Sequence, residues 1–87
     1  MVNEINRAKL ERAVAIYRQA QAIEDKTAML YEETVDEWYT AFDEASDKPT
    51  DNLSAIQFCE CIMDYNADAT ADVIADAITS LLGIIVK

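Results

Sequence analysis

The sequence predicts an all-α fold: a small bundle of three to four helices that forms one domain over residues 1–87. Apolar residues make up 52% of the chain, and they recur at steps of three and four, as on one face of an α-helix. One Gly and one Pro are too few turn-forming residues for a fold of many strands. A chain this short buries only about 60–65% of its unfolded surface, so its core is thin.

The first predicted helix runs from about Glu4 to Ile23, with Asn3 as its N-cap. Its apolar stripe lies on one side of the helix, and Arg7, Arg12 and Arg18 occupy the remaining faces. The stripe consists of Leu10, Ala13, Tyr17 and Ala20.

A second apolar stripe follows the polar run 24–27, with steps of 3, 4, 3, 4 and 3. No Gly or Pro separates the two stripes, so one long bent helix over residues 3–46 is the alternative to two helices. That helix would be roughly 65 Å long, whereas a domain of this size is only about 30 Å across. The sequence therefore favours a break at 24–27. The stripe consists of Ala28, Tyr31, Val35, Trp38, Phe42 and Ala45.

The second half of the chain predicts two further helices and no strand. Pro49 and its polar neighbours mark a loop at 46–52. A third helix is expected from about Leu53 to Tyr65, and a fourth from about Ala69 to Leu82. The expected inward residues are Ala55, Phe58, Cys59 and Ile62 in the third helix, and Val73, Ile74, Ala77, Ile78, Leu81 and Leu82 in the fourth.

The end of the fourth helix and the residues after it form a separate feature. Gly83 is predicted as the left-handed residue that ends the helix. The tail 84–86 is strongly apolar, and we expect it to fold back on the core or to pair with another copy.

Charge is distributed unevenly along the chain. Seventeen acidic and seven basic residues give a net charge of −10. Residues 1–30 have a net charge of +1 (five bases, four acids), and residues 31–87 have −11 (two bases, thirteen acids). Such an asymmetry within one chain indicates an interaction with a charged partner.

The residue content argues against catalysis and against a bound cofactor. The chain has no His, hence no imidazole base and no Cys/His zinc site. A single Gly cannot form a phosphate-binding loop. Cys59 and Cys61 flank Glu60 rather than a base, and we expect both to be small buried hydrophobes in a reducing compartment. No apolar run is long enough for a membrane span or a signal peptide, so a cytoplasmic location is expected.

Four aspartates recur every four residues across the predicted third and fourth helices. Like charges at this spacing cost about 0.2–0.5 kcal/mol per pair, so the row works against helix stability. A solvated outer face and a divalent-cation site are alternatives, although a straight helix cannot wrap around an ion. The row is interpreted as an acidic ridge that contacts a partner. It consists of Asp64, Asp68, Asp72 and Asp76.

A second acidic surface is predicted on the second helix. Two such ridges together approximate the charge density of a DNA strand, which repeats about every 3.4 Å. Tyr39 lies off the apolar stripe and is predicted to be an exposed anchor at an interface. The acidic residues are Glu33, Asp36, Glu37 and Glu44, with Glu32 and Asp43 beside them.

These features predict a non-enzymatic protein-binding module. We expect an inhibitor or regulator that occupies the basic, nucleic-acid-binding surface of a partner such as a nuclease, and that binds neither nucleic acid nor membrane itself. Small inhibitors encoded by phages and mobile elements are of this physical type, which is an analogy at the level of fold. The alternative is an assembly module, a helical homodimer whose acids serve solubility. Salt distinguishes the two, because only the first depends on attraction between exposed charges, which salt screens.

Overall fold

Four helices and two very short strands occur in the part of the chain that the structure describes. The computed structural model describes residues 4–46 and 53–87, and helices make up 74% of them. The predicted all-α class is therefore confirmed. In chain order the elements are β1 (Glu4–Ile5), α1 (Arg7–Ala22), α2 (Met29–Ala45), α3 (Leu53–Tyr65), α4 (Ala71–Leu82) and β2 (Ile85–Val86).

The first helix begins later than the sequence suggested. Asn6, not Asn3, is the N-cap, and its side-chain oxygen accepts the Lys9 N–H at 3.0 Å. Glu4 precedes the helix in β1, while the predicted cap Asn3 lies outside the described residues. Both asparagines have the same capping chemistry. Ile5 is only 1% exposed and lies in the strand β1, so the residues directly before Asn6 are extended rather than helical.

The predicted break at 24–27 is confirmed, and α1 and α2 are separate helices. The Asp25 carboxylate accepts hydrogen bonds from the Thr27 N–H at 2.9 Å and from the Thr27 hydroxyl at 2.6 Å. Lys26 Nζ donates to the carbonyls of Ala20 and Gln21 in the last turn of α1, where carbonyls have no partner one turn further along the helix. Local side-chain bonds thus turn the chain without Gly or Pro.

The core is centred on the aromatic side chains that α1 and α2 share. Trp38 and Phe42 are fully buried, as are Leu10 and Ala13 of the first stripe. The Tyr17 and Trp38 rings lie with centroids 5.1 Å apart, and Trp38 meets Phe42 edge-on at 5.4 Å. Tilted and edge-to-face contacts are favoured by the ring quadrupoles. The first predicted stripe therefore faces the core, as do Trp38, Phe42 and Ala45 of the second, whereas its earlier members are only partly buried.

The expectation that the chain contains no strand is wrong in one place. β1 and β2 pair in parallel, with Glu4 opposite Ile85 and Ile5 opposite Val86. Just beyond this pair, the Lys87 N–H donates to the Ile5 carbonyl at 2.9 Å. Strands of two residues are too short for the alternating pattern by which a strand is recognised. The apolar tail thus folds back within the chain, which was one of the two expected outcomes.

The fourth helix is shorter and less buried than predicted. It begins at Ala71, after the N-cap Thr70, and its last residue is Leu82. The C-cap Gly83 follows, and its φ of 68° confirms the predicted left-handed conformation. Ile74 and Ile78 are fully buried. Three residues predicted to point inward are exposed instead, because a bundle this thin covers only a narrow stripe of the helix: Val73 (47%), Leu81 (69%) and Leu82 (40%).

Arg18 connects α1 to the junction between α3 and α4. Its guanidinium donates to the Met63 and Asn66 carbonyls, both at 3.1 Å, and to the Ala69 carbonyl at 2.8 Å. It also donates to Gln21 Oε1 at 2.6 Å. The guanidinium thereby satisfies carbonyl groups at the end of α3 and in the following turn, where the helix itself offers no donors.

We expect Arg18→Lys to lower the free energy of unfolding by about 2 kcal/mol, because a single ammonium cannot reach three carbonyls in this fork geometry. Urea unfolding followed by circular dichroism measures the change. Arg12→Lys is the matched control, since Arg12 is exposed and has no hydrogen bond in the described part of the chain. Equal stability of the two variants would contradict the role assigned to Arg18.

Candidate protein-binding surface

The four acids predicted on the second helix lie together along one groove. The groove runs between α1 and α2 and has a volume of about 510 Å³. Their spacing of three to four residues, or multiples of it, places them on one side of α2. All four carboxylates are exposed. The described residues that line the groove are Glu33, Asp36, Glu37, Thr40, Ala41 and Glu44 of α2, and Arg12 and Ile16 of α1.

The groove combines an apolar floor with a negative wall. Ile16 is partly buried and Ala41 is buried. Arg12 is the one cation among the described lining residues. Within residues 4–46 and 53–87, none of the four carboxylates forms a hydrogen bond or ion pair. They are therefore available to accept charge-assisted hydrogen bonds from the Lys or Arg side chains of another molecule.

The predicted aspartate ridge does not exist as one row. Asp64 lies in the last turn of α3, Asp68 in the turn that follows, and Asp72 and Asp76 on α4. The turn at 66–70 interrupts the helical path, so a spacing of four residues no longer places side chains above one another. Asn66 stabilises this turn by accepting the Asp68 N–H at 3.1 Å.

Two of these four aspartates have partners inside the fold. Asp64 accepts from the Tyr17 hydroxyl at 2.8 Å and from the Gln21 amide at 3.0 Å. Asp72 pairs with Arg7 at 2.6 Å and lies in the first turn of α4, where a negative charge complements the helix dipole. Their presence therefore has a structural reason that the sequence spacing did not show.

The other two aspartates and Tyr39 lie on the surface but do not line the groove. Asp68 and Asp76 are exposed. Tyr39 is 36% exposed, in agreement with the prediction that it lies outside the core. Burial raises the pKa of its hydroxyl, and the neighbouring Glu60 carboxylate adds to this effect.

The described residues contain no cluster of three or more His, Cys, Asp or Glu side chains that could hold a metal ion. The described helices likewise include none that is long and apolar enough to cross a membrane.

Sequence reasoning missed two features of these surfaces. Arg12 was placed only among the outer faces of α1, whereas it lines the acidic groove. Glu60 was considered only as a neighbour of the cysteines, although it approaches Tyr39 and Trp38 of α2. The spacing of Glu60 and Asp64, four residues apart, was the available signal that both face the same neighbouring helices.

The two cysteines differ, contrary to the expectation that both are buried. Cys59 is fully buried, whereas Cys61 is exposed, because residues two apart point to nearly opposite sides of a helix. Burial raises the pKa of the Cys59 thiol to about 12, and Glu60 contributes in the same direction. Cys59 therefore remains a protonated thiol at neutral pH and is a poor nucleophile.

Comparison with known proteins identifies no relative of this chain. The chain matches no protein-family model, no curated protein and no solved structure.

A thiol reagent should label one cysteine of the native chain rapidly and the second only after denaturation. Cys61→Ser should abolish the rapid phase, because Cys59 is both buried and protonated. Absorbance of the released chromophore measures the two phases. Rapid labelling of Cys59 in the Cys61→Ser variant would show that α3 is not packed as described.

Proposed function

We propose that this chain is a non-enzymatic protein-binding module that inhibits or regulates a partner protein by occupying its basic, nucleic-acid-binding surface. One observation carries the proposal: the groove between α1 and α2 presents four carboxylates that have no partner within the described residues. Unlike Asp64 and Asp72, these acids form no internal bond that explains their presence.

The charge of the chain suits such a partner. A net charge of −10 on 87 residues attracts a basic protein and accelerates its approach at low ionic strength. The same field repels phosphate groups, so direct binding of nucleic acid is disfavoured. The acidic groove is complementary in charge to the Lys and Arg side chains with which a partner contacts phosphates. If the groove carboxylates bound those side chains, the partner could no longer bind nucleic acid.

The test compares two pairs of substitutions that remove equal charge. Glu33→Gln with Glu37→Gln neutralises two acids of the groove, and Asp68→Asn with Asp76→Asn neutralises two exposed acids elsewhere. Basic proteins captured from a lysate of the source cells are purified, and their affinity for each chain is measured by calorimetry. We expect the groove pair to weaken binding at least tenfold, which is about 1.4 kcal/mol.

Salt and competition complete this test. Binding should weaken strongly between about 0.1 M and about 1 M salt, because the Debye length falls from about 10 Å to about 3 Å. The chain should also displace a labelled DNA duplex from the captured protein. If the groove pair and the control pair bind equally well, or if captured proteins keep their DNA, the proposal is wrong.

An assembly role is the second candidate, and the exposed apolar residues of α4 favour it. Leu81 is 69% exposed and Leu82 is 40% exposed. The tail itself pairs with β1 within the chain, so a homodimer would be joined through α4 rather than through the tail. In this case the acidic residues keep the assembly soluble.

Light scattering at tens of micromolar distinguishes this candidate. An assembly module should give a mass of twice 9.7 kDa at low and at high salt, because apolar contacts are not screened. Leu81→Ser should then return the mass to that of one chain, whereas Leu30→Ser, at an exposed leucine of α2, is the control. A mass of one chain for the unsubstituted protein excludes the assembly role.

A further inference from the structure

Two carboxylates of α3 lie one helical turn apart and face the aromatic side chains of α1 and α2. Asp64 is fixed by hydrogen bonds from the Tyr17 hydroxyl at 2.8 Å and from Gln21 Nε2 at 3.0 Å. Glu60 precedes it by four residues and therefore shares its face of the helix. Tyr17 in turn contacts the buried Trp38 ring, so the carboxylates border the aromatic core.

Glu60 faces α2. The Tyr39 hydroxyl and the Trp38 indole N–H both approach its carboxylate. The indole nitrogen is fully buried and has no hydrogen bond of good geometry within the described residues. Glu60, which is only partly buried, is therefore the acceptor that this N–H approaches.

The nearby cations are engaged with other groups. Arg18 donates to Gln21 and to backbone carbonyls. Lys26 Nζ donates to two backbone carbonyls at the C-terminal end of α1 and lies 4.9 Å from the centroid of the Tyr31 ring. Neither forms an ion pair with Glu60 or Asp64 in the part of the chain that the structure describes. The two carboxylates therefore repel each other without a direct counterion.

We propose that Glu60 and Asp64 form a proton-sensitive contact, which holds α3 against α1 and α2 more tightly when the pair binds one proton than when both carboxylates are ionised. Binding of one proton removes the repulsion between the two carboxylates, which lie one helical turn apart. It also removes a negative charge from a partly buried position, where an ionised carboxylate is less well hydrated. It leaves Asp64 able to accept from Tyr17 and Gln21.

The electrostatics of the surrounding groups agree with this geometry. Burial raises the pKa of Glu60, repulsion from Asp64 adds to it, and the donors Trp38 and Tyr39 act in the opposite direction. The other titratable groups facing the cluster are the hydroxyls of Tyr17, Tyr31 and Tyr39 and the buried thiol of Cys59, with Asp36 acting on Tyr39 from α2.

The sign of the pH dependence follows from linkage. Since the pKa of Glu60 is raised on folding, the folded chain binds this proton more strongly than the unfolded chain. The resulting stability is fully present below the unfolded pKa and is lost as the pH rises through the folded pKa. Asp25 has the opposite sense, because the Thr27 hydrogen bonds lower its pKa, and its contribution disappears only under more acidic conditions.

Trp38 provides the measurement, since it is the one Trp of the chain and approaches Glu60. Its fluorescence is titrated from about pH 7 to about pH 4, and Tm is measured over the same range. The unsubstituted chain should show a fluorescence transition above the ordinary range of Glu and a Tm that rises on acidification. In Glu60→Gln the transition should disappear, and Tm should already be raised at neutral pH.

Glu11→Gln is the control for the loss of one negative charge. It removes the same unit of charge as Glu60→Gln, but at an exposed residue of α1. It should leave the fluorescence transition in place. An unchanged transition in Glu60→Gln, or equal Tm profiles for Glu60→Gln and Glu11→Gln, overturns the proposal. If Glu60→Gln does not fold, Asp64→Asn decides: the fluorescence midpoint must move to lower pH, and an unmoved midpoint overturns the proposal as well.

Discussion

The Arg18 guanidinium holds the turn between α3 and α4 against α1. Residues of all four helices share one apolar core. The carbonyls at the end of a helix, by contrast, need donors from outside that helix. Arg18 supplies them to Met63, Asn66 and Ala69. An arginine suits this role because its planar fork offers five donors in a fixed geometry. The turn between the two helices is thereby fixed relative to α1.

This arrangement also explains how a strongly acidic chain distributes its charges. The acids nearest the helix contacts have specific partners: Asp64 binds Tyr17, and Asp72 binds Arg7. The acids of the α1–α2 groove have none within the described residues. Charge repulsion within a compact protein opposes folding, and no internal bond of the groove acids offsets that repulsion within the described residues.

The sequence predicted the parts of the fold that periodicity controls. Leu10, Tyr17, Trp38 and Phe42 are buried because regular helical spacing places them on one face, whatever their neighbours are. The spacing of the groove acids along α2 was predictable for the same reason, but the α1 side of the groove was not. The prediction of one aspartate ridge was wrong, because residue spacing no longer determines which side chains align once the chain turns between two helices. Exposure of Leu81 depends on how much of α4 the other helices cover, which only the packed structure determines.

The parallel pairing of β1 with β2 has a consequence for the order of folding. It joins residues near the two ends of the described chain, so its loop spans nearly all of the fold. Helix formation and the docking of α1 on α2 involve closer neighbours and can proceed without it, whereas two strands of two residues cannot hold such a loop closed alone. We therefore expect the strands to pair after the helices have assembled. In this order of events, Ile5 (1% exposed) and Ile84 (7% exposed) would reach their final burial only when the strands pair.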